Sequence, residues 1–511
     1  MLPASPLETI EPRLRSFLPA DLYAAAWVDP SPTTLERVFE HLRTLQRILV
    51  DYTARRVSEN PGRPGEVRYA WQKGSLMFTD LAGFTRLLEA NAGRGDVGAA
   101  DLLKVLNAYF TEMIEIISKS GGDLLEFTGD ALLALFPDDQ KRNDTLQAVR
   151  AGLRMQRAMA RFSAIDTPAG KLKLEMRVGI HTGRFLTASI GTPRRMEHVL
   201  LGRAVQLAKL AEGAGVKGRV CLTEAAHARA AELLRFEPGQ PGHLLVIDDL
   251  SEEQLGEYEV TPRRRMAGSV LFDRSVSALV SEITRMLQSV EALACYLPAP
   301  VLNLLVESAA DRHIPPDFSS PTVVFVNFIG LPETVDRALP GEEHKVVNSF
   351  SRAFAAINAA VEKRGGMLKK ITYHLSGSDI VIYFGVPTAH TNDPVRAAQA
   401  ALAIREAILA VKPPTVGNVM PEVTCQIGIA QGPAFAAEIG ELRGRREFNV
   451  QGDTINTAAR LMSRAGANQI LITGTVRDCL GSRFKCESLG SVPLKGKAAP
   501  TPIFALLGME G

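Results

Sequence analysis

Between residues 99 and 119 the apolar side chains recur in threes and fours: Leu102, Leu103, Leu106, Phe110, Met113 and Ile114 fall on one helical face. Segments 145–162, 343–363 and 393–410 are likewise amphipathic and are predicted to be helices. Elsewhere the chain carries short apolar, β-branched runs that end at glycine, which predict strands and turns. These runs come in pairs about 245–250 residues apart. GSLMFTDLAGFT (74–85) is answered by PTVVFVNFIGLP (321–332), and SKSGGDLLEFTGDALLALF (118–136) by EKRGGMLKKITYHLSGSDIVIYFG (362–385). MRVGIHTG (176–183) is answered by CQIGIAQG (425–432), and HVLLGRAVQLAKLA (198–211) by FNVQGDTINTAARLM (448–462). Self-similarity of this kind means a duplicated unit.

Each copy reads strand–helix–helix–strand–strand–helix–strand–helix–strand, which predicts α/β or α+β layers with helices covering a mixed sheet. A shorter echo, SFLPADLYAAA (16–26) and CYLPAPVLNLL (295–305), precedes each copy. Residues 1–70 and 262–318 are therefore expected to be a helical lead-in and a helical linker. They bound a first domain at 71–261 and a second at 319–511.

Composition narrows the setting. A net charge of +2 gives no reason to expect nucleic acid or an anionic membrane as partner. The five cysteines are scattered without a CxxC pair, which favours reduced thiols over a disulfide framework or a zinc site. No apolar run is long enough to span a bilayer, and the N-terminus has no signal-peptide pattern, so a cytoplasmic protein is expected. His181, His198 and His374 are unclustered and read as core or rim residues.

The chemistry concentrates in the first copy. Asp80 closes an apolar strand and Asp130 lies in a tight turn between two strands. Two such carboxylates can converge on two hard divalent ions, which suit in-line displacement at phosphorus. Each alone could as well cap a helix or fill a turn. The turn from Leu81 to Thr85, with Gly83 at its centre, could offer N–H groups to a triphosphate.

FTDLAGFT, GGDLLEFTGDALLALF and MRVGIHTG in the first copy, with REFNVQGDTINTAARLM and LKGK in the second, resemble class III adenylyl and guanylyl cyclases. The likeness is greatest to the tandem-domain, bicarbonate-responsive soluble type and its bacterial relatives. It implies an α+β fold: two ferredoxin-like catalytic domains in a head-to-tail pseudodimer within a monomer, with one interdomain site turning ATP into cyclic AMP and pyrophosphate. By that resemblance Asp80, Leu81 and Asp130 match metal positions for two Mg²⁺ (or Mn²⁺) ions, and Gly83, Phe84 and Thr85 the phosphate turn. Asn456 and Arg460 match residues that orient ribose and stabilise pentavalent phosphorus, while Arg177 and Lys495 match cations that hold the triphosphate. Where the first copy has Asp80 and Asp130 the second has Asn327 and Ser378; where the second has Asn456 and Arg460 the first has Gln206 and Leu210. Each copy lacks what the other keeps.

In the family a lysine from the copy without metals reads adenine and a glutamate reads guanine. Counting from the Gly-Gly stop places Lys370 there, with Lys369 facing the opposite side of its strand, and Asn449 as its partner position. This favours ATP over GTP. In the degenerate pocket Glu126 and Lys209 stand where bicarbonate-responsive relatives carry a lysine and an arginine. A carboxylate there opposes anion capture, and a plain Glu126–Lys209 ion pair is the competing reading. Rival functions are a catalytically inactive nucleotide-binding module and another two-metal phosphoryl-transfer enzyme. The GGDEF signature of a diguanylate cyclase is absent.

Overall fold

The computed structural model describes residues 7–139, 142–258, 273–309, 314–373, 375–441, 444–494 and 499–509. Helix α1 (Pro32–Tyr52) precedes the first copy, opened by a proline in its first turn. Strand β1 (Arg68–Ala82) follows, then helix α2 (Gly95–Lys119) and the hairpin β2 (Asp123–Thr128) and β3 (Ala131–Pro137). The 18-residue β4 (Glu175–Thr192) folds back as β5 (Arg195–Leu201) before helix α3 (Arg203–Ala214). Helix α4 (Val276–Ala294) leads into the second copy. That copy comprises β6 (Thr322–Ile329), α5 (Glu343–Glu362), β7 (Met367–Tyr373), β8 (Ser378–Phe384), β9 (Thr424–Gln431), β10 (Ala434–Gly440), β11 (Arg446–Gln451) and α6 (Asp453–Arg464).

The repeat holds strand by strand. In the first copy the order is β2–β3–β1–β4, continued by Val220–Thr223, His243–Val246 and Phe236–Pro238. In the second it is β7–β8–β6–β9, continued by Gln469–Thr473, Thr501–Met509 and Phe484–Val492. Among the described residues only the step from β4 to Val220–Thr223, and its counterpart in the second copy, is parallel. The helices α3 and α6 provide those crossovers.

One expectation fails in the second copy. The first has a nine-residue helix, Phe84–Ala92, between β1 and α2, whereas the second has a 3₁₀ segment, Pro332–Arg337. Pro332 sits in its first turn and offers no N–H, and Leu339–Pro340 stops the chain from winding further.

Each copy sends a hairpin into the other. Leu186, Ile190, Val199 and Leu201 from β4 and β5 share a core with Phe350 and Phe354 of α5. Reciprocally, Phe435, Ala437 and Ile439 of β10 join the first copy's core beside Leu106 and Phe110. The tips repeat the exchange: Gly191 N donates to Ser351 Oγ at 2.9 Å, and Gly440 N to Asn107 Oδ1 at 3.2 Å. This reciprocity is the head-to-tail arrangement of the two copies. Alongside it α1 and α4 pack as a parallel pair through Leu42, Leu45, Ile283 and Leu287. Gln46 reaches Ser289 near one end and Arg274 reaches Glu36 near the other.

Candidate active site

Register alone brings Asp80 opposite Arg177 across the β1–β4 ladder. Arg177 Nη2 donates to Asp80 Oδ2 at 2.5 Å and lies 2.9 Å from Glu212 Oε1 on α3. The guanidinium expected to hold a triphosphate is thus held by two carboxylates. Asp130 follows Gly129, whose φ of +68° the tight β2–β3 turn requires. Burial, and then the negative charge of Asp80, push the Asp130 carboxyl up to about 7, with Lys209 opposing. Tyr109 beneath the pair is pushed up as well, by burial and by both aspartates.

Two oxygen-donor side chains that repel one another this way fit a hard divalent cation, which would replace the repulsion with attraction. Among the described residues no group of three or more Asp, Glu, His or Cys converges on a metal position. Two carboxylates are as much as the protein need supply to Mg²⁺ or Mn²⁺, which take their other ligands from water and phosphate. Leu81 is buried in the core, so only its carbonyl oxygen could join. Gly83 (φ +99°) is constrained further, because a Cβ there would come within 2.6 Å of Lys173 O. The turn continues into the helix that begins at Phe84 and opens on a groove of about 630 Å³ that includes Thr85, Arg86, Lys171, Lys173 and Lys217.

The second copy reaches this place through β11. Asn449 Nδ2 and Gln451 Nε2 both donate to Gly129 O at 3.0 Å, so two amides from one copy fix the turn that carries the other copy's aspartate. Asn449 Oδ1 also accepts from Val450 N at 2.9 Å, which commits the amide expected to face a purine largely to the backbone. Gln451 went unnoticed in the sequence. Alternation along β11 puts residues 447, 449 and 451 on one face, a signal readable only once the strand's partner is known.

Asn456 and Arg460 share a face of α6 and line an open groove of about 580 Å³ with Asp379. Arg460 Nη1 lies 3.6 Å from Asp453 Oδ1. The structure therefore groups Asp80, Asp130, Arg177 and Asn449 together, and holds Asn456 and Arg460 in a separate groove. Lys495 lies outside the described residues, as does His374. His181 is a buried core residue whose Nδ1 lies 2.9 Å from Thr223 Oγ1.

Two expectations about charge need correction. Lys369 does not face away from Lys370, because a β-bulge between Leu368 and Lys370 turns both inward. Both ammonium groups meet Glu447 Oε1, at 2.8 and 3.0 Å. Glu126 and Lys209, expected to share a pocket, are separated. Glu126 lies in a cleft of about 80 Å³ with Glu197, Lys370, Arg445 and Glu447. Lys209 pairs with Glu212 at 2.7 Å and lies over the Phe78 ring. In the second copy the Asp80–Arg177 position is an amide pair, Asn327 Nδ2 donating to Gln426 Oε1 at 3.3 Å.

The repeated fold is a duplicated nucleotide-cyclase architecture. Residues 68–245 and 316–507 match the adenylate and guanylate cyclase catalytic domain, and the chain belongs to that family. It is 24% identical over 449 residues, 86% of its length, to adenylate cyclase type 10 of Rattus norvegicus, and spans 26% of that protein. An adenylate cyclase of Mycobacterium tuberculosis is 30% identical over 207 residues, covering 40% of this chain and 43% of that one. Among solved structures, a class III adenylyl cyclase-like ATP-binding protein from Pseudomonas aeruginosa superposes with a TM-score of 0.54 at 16% identity. That match covers 87% of this chain and 93% of that one. Among the described residues no helix is long and apolar enough to cross a membrane.

Proposed function

We propose that the chain is an adenylate cyclase, converting ATP to 3′,5′-cyclic AMP and pyrophosphate at one site between its two copies. The observation that carries this reading is the pair of amides, Asn449 and Gln451, that the second copy lays on the Asp130 turn of the first. It ties the metal-competent half of one copy to the strand that leads into Asn456 and Arg460 of the other. The 3′-hydroxyl gives up its proton to water, its oxygen attacks the α-phosphorus, the bond to the bridging oxygen breaks, and pyrophosphate leaves. Divalent ions bound at Asp80 and Asp130 would supply charge neutralisation to the nucleophile and the phosphates. Asn456 orients the ribose and Arg460 takes up charge on the pentacoordinate phosphorus, which requires the groove on α6 to close toward Asp80. Arg177 exchanges its carboxylate partners for phosphate. Lys370 gives one of its three N–H donors to Glu447 and can give another to N1 of adenine. ATP is favoured over GTP on that donor, and the curated relatives named above are adenylate cyclases.

A second reading, ATP binding without turnover, is favoured by the paired state of Arg177 and Lys370 and by the small size of the cleft around Lys370. Incubation with Mg²⁺ or Mn²⁺ and either ATP or GTP, with the cyclic product read by mass, decides between the two. Cyclic AMP is expected, falling on the order of 10³-fold or more in Arg460→Ala and to background in Asp80→Ala. Bound ATP with no cyclic product would establish the second reading.

A further inference from the structure

The second copy contains its own version of the phosphate turn, and that turn is filled. Gly330, the counterpart of Gly83, has the same left-handed backbone, φ +101° against +99°. In the first copy the residue three positions on, Arg86, is exposed and leaves the turn open on its groove. In the second copy that position is Glu333, and its carboxylate bends back to accept from Gly330 N at 2.9 Å. Burial pushes this carboxyl up, and the backbone of Glu333 itself, of Gly330 and of Gly377 pulls it back toward the charged form. Gly377 is the counterpart of Gly129, so one carboxylate stands beside both turns that would face a second triphosphate.

One further contact and a tighter second turn close the same region. Asp336, on the same 3₁₀ segment, reaches across to the first copy, where its Oδ2 accepts from Arg203 N at 2.6 Å. It thereby caps the start of α3, the helix equivalent to the one that carries Asn456 and Arg460. The turns also differ in space. A Cβ added at Gly129 would meet nothing within 4 Å, whereas one at Gly377 would lie 2.3 Å from Asn327 Oδ1 and 2.6 Å from Phe328 O.

We propose that Glu333 and Asp336 are built-in carboxylate occupants of the second interdomain site, holding the anion-binding backbone groups that a nucleotide would otherwise take, so that the chain binds one nucleotide. Removal of acidic metal positions alone would leave a vacant pocket able to take a triphosphate weakly and compete with the working site. A carboxylate on the donor N–H groups prevents that, because it satisfies them and repels phosphate. The proposal rests on the reading that the Leu81–Thr85 turn takes the triphosphate.

Calorimetric titration of the full chain with α,β-methylene-ATP and Mn²⁺ tests it. One site per chain is expected for the unaltered protein and none for Asp80→Ala. Two are expected for Glu333→Ala/Asp336→Ala, the second at least tenfold weaker, while Glu333→Gln, which keeps an acceptor oxygen, stays at one. Two sites in the unaltered chain, or one remaining in Asp80→Ala, overturn the proposal. So does a single site in the double variant with its circular dichroism and melting unchanged. If no form binds the nucleotide, it is the catalytic reading that fails. Inorganic tripolyphosphate then judges the occupants alone: binding by the double variant and not by the unaltered chain supports them, and equal behaviour overturns them.

Discussion

Glu447 holds three cations at the inner end of β11: Lys369 at 2.8 Å, Lys370 at 3.0 Å and Arg445 at 3.8 Å. Burial raises its proton affinity, but Lys369, Lys370 and Arg445 outweigh burial and hold its pKa down at about 2. Glu447→Ala removes the carboxylate that both buried ammonium groups share, and a loss of about 3–5 kcal/mol is expected in denaturant unfolding. Glu126, in the same cleft, behaves oppositely. Burial pushes its carboxyl up to about 7, with Lys370 and Arg445 pulling it down and Glu197 and Glu447 pushing it up. Between pH 4.5 and 7 the folded chain then keeps a proton that the unfolded chain has lost, so stability falls as pH rises through that window. Glu126→Gln removes this dependence, and its stability relative to the unaltered protein is expected to rise between pH 4.5 and 7.5, by on the order of 3 kcal/mol. An unchanged difference across that range would mean Glu126 is ionised throughout.

The hairpin arms are the elements on which the site depends. Phe435 of β10 is buried in the first copy's core, where its ring centroid lies 5.3 Å from that of Phe318. Phe435→Ala is expected to cost about 3–5 kcal/mol, from lost transfer energy and the cavity left behind. Cyclase rate should fall further than the folded fraction does, because the same arm carries Asn449 and Gln451 to Gly129. A rate that merely tracks the folded fraction would show that the arm does not position the site. The bulge at Lys369 belongs to this scale too, and its twin between Leu124 and Glu126 shows that the irregularity is part of the repeated unit.

At the scale of the molecule, the two copies and the parallel helix pair close on one another. Arg445 grips the last carbonyls of α1, donating to Tyr52 O at 2.8 Å, and Arg195 donates to Tyr296 O at 3.2 Å just beyond α4. Each copy's arm is thus tied to the helix that leads into the other copy. The proposed site draws on one chain alone, so mixing Asp80→Ala chains with Arg460→Ala chains is expected to restore less than a few per cent of the cyclase rate. Recovery near a quarter of the normal rate would mean that halves from different chains assemble.

The duplication and most of the strands and helices were legible in the sequence, because periodicity and repeat depend on local geometry and on counting. The helix predicted for 343–363 appears as Glu343–Glu362, and the one for 393–410 as Asp393–Leu409. The partners of the charged side chains were not legible. Lys369 turned inward at a bulge, Arg177 met Asp80 through sheet register, Glu126 and Lys209 parted, and Glu333 bent back onto its own turn. Each outcome depends on which strands lie side by side and which copy packs across them. Linear spacing fixes the direction of a residue on its own element, but the tertiary fold decides what stands opposite.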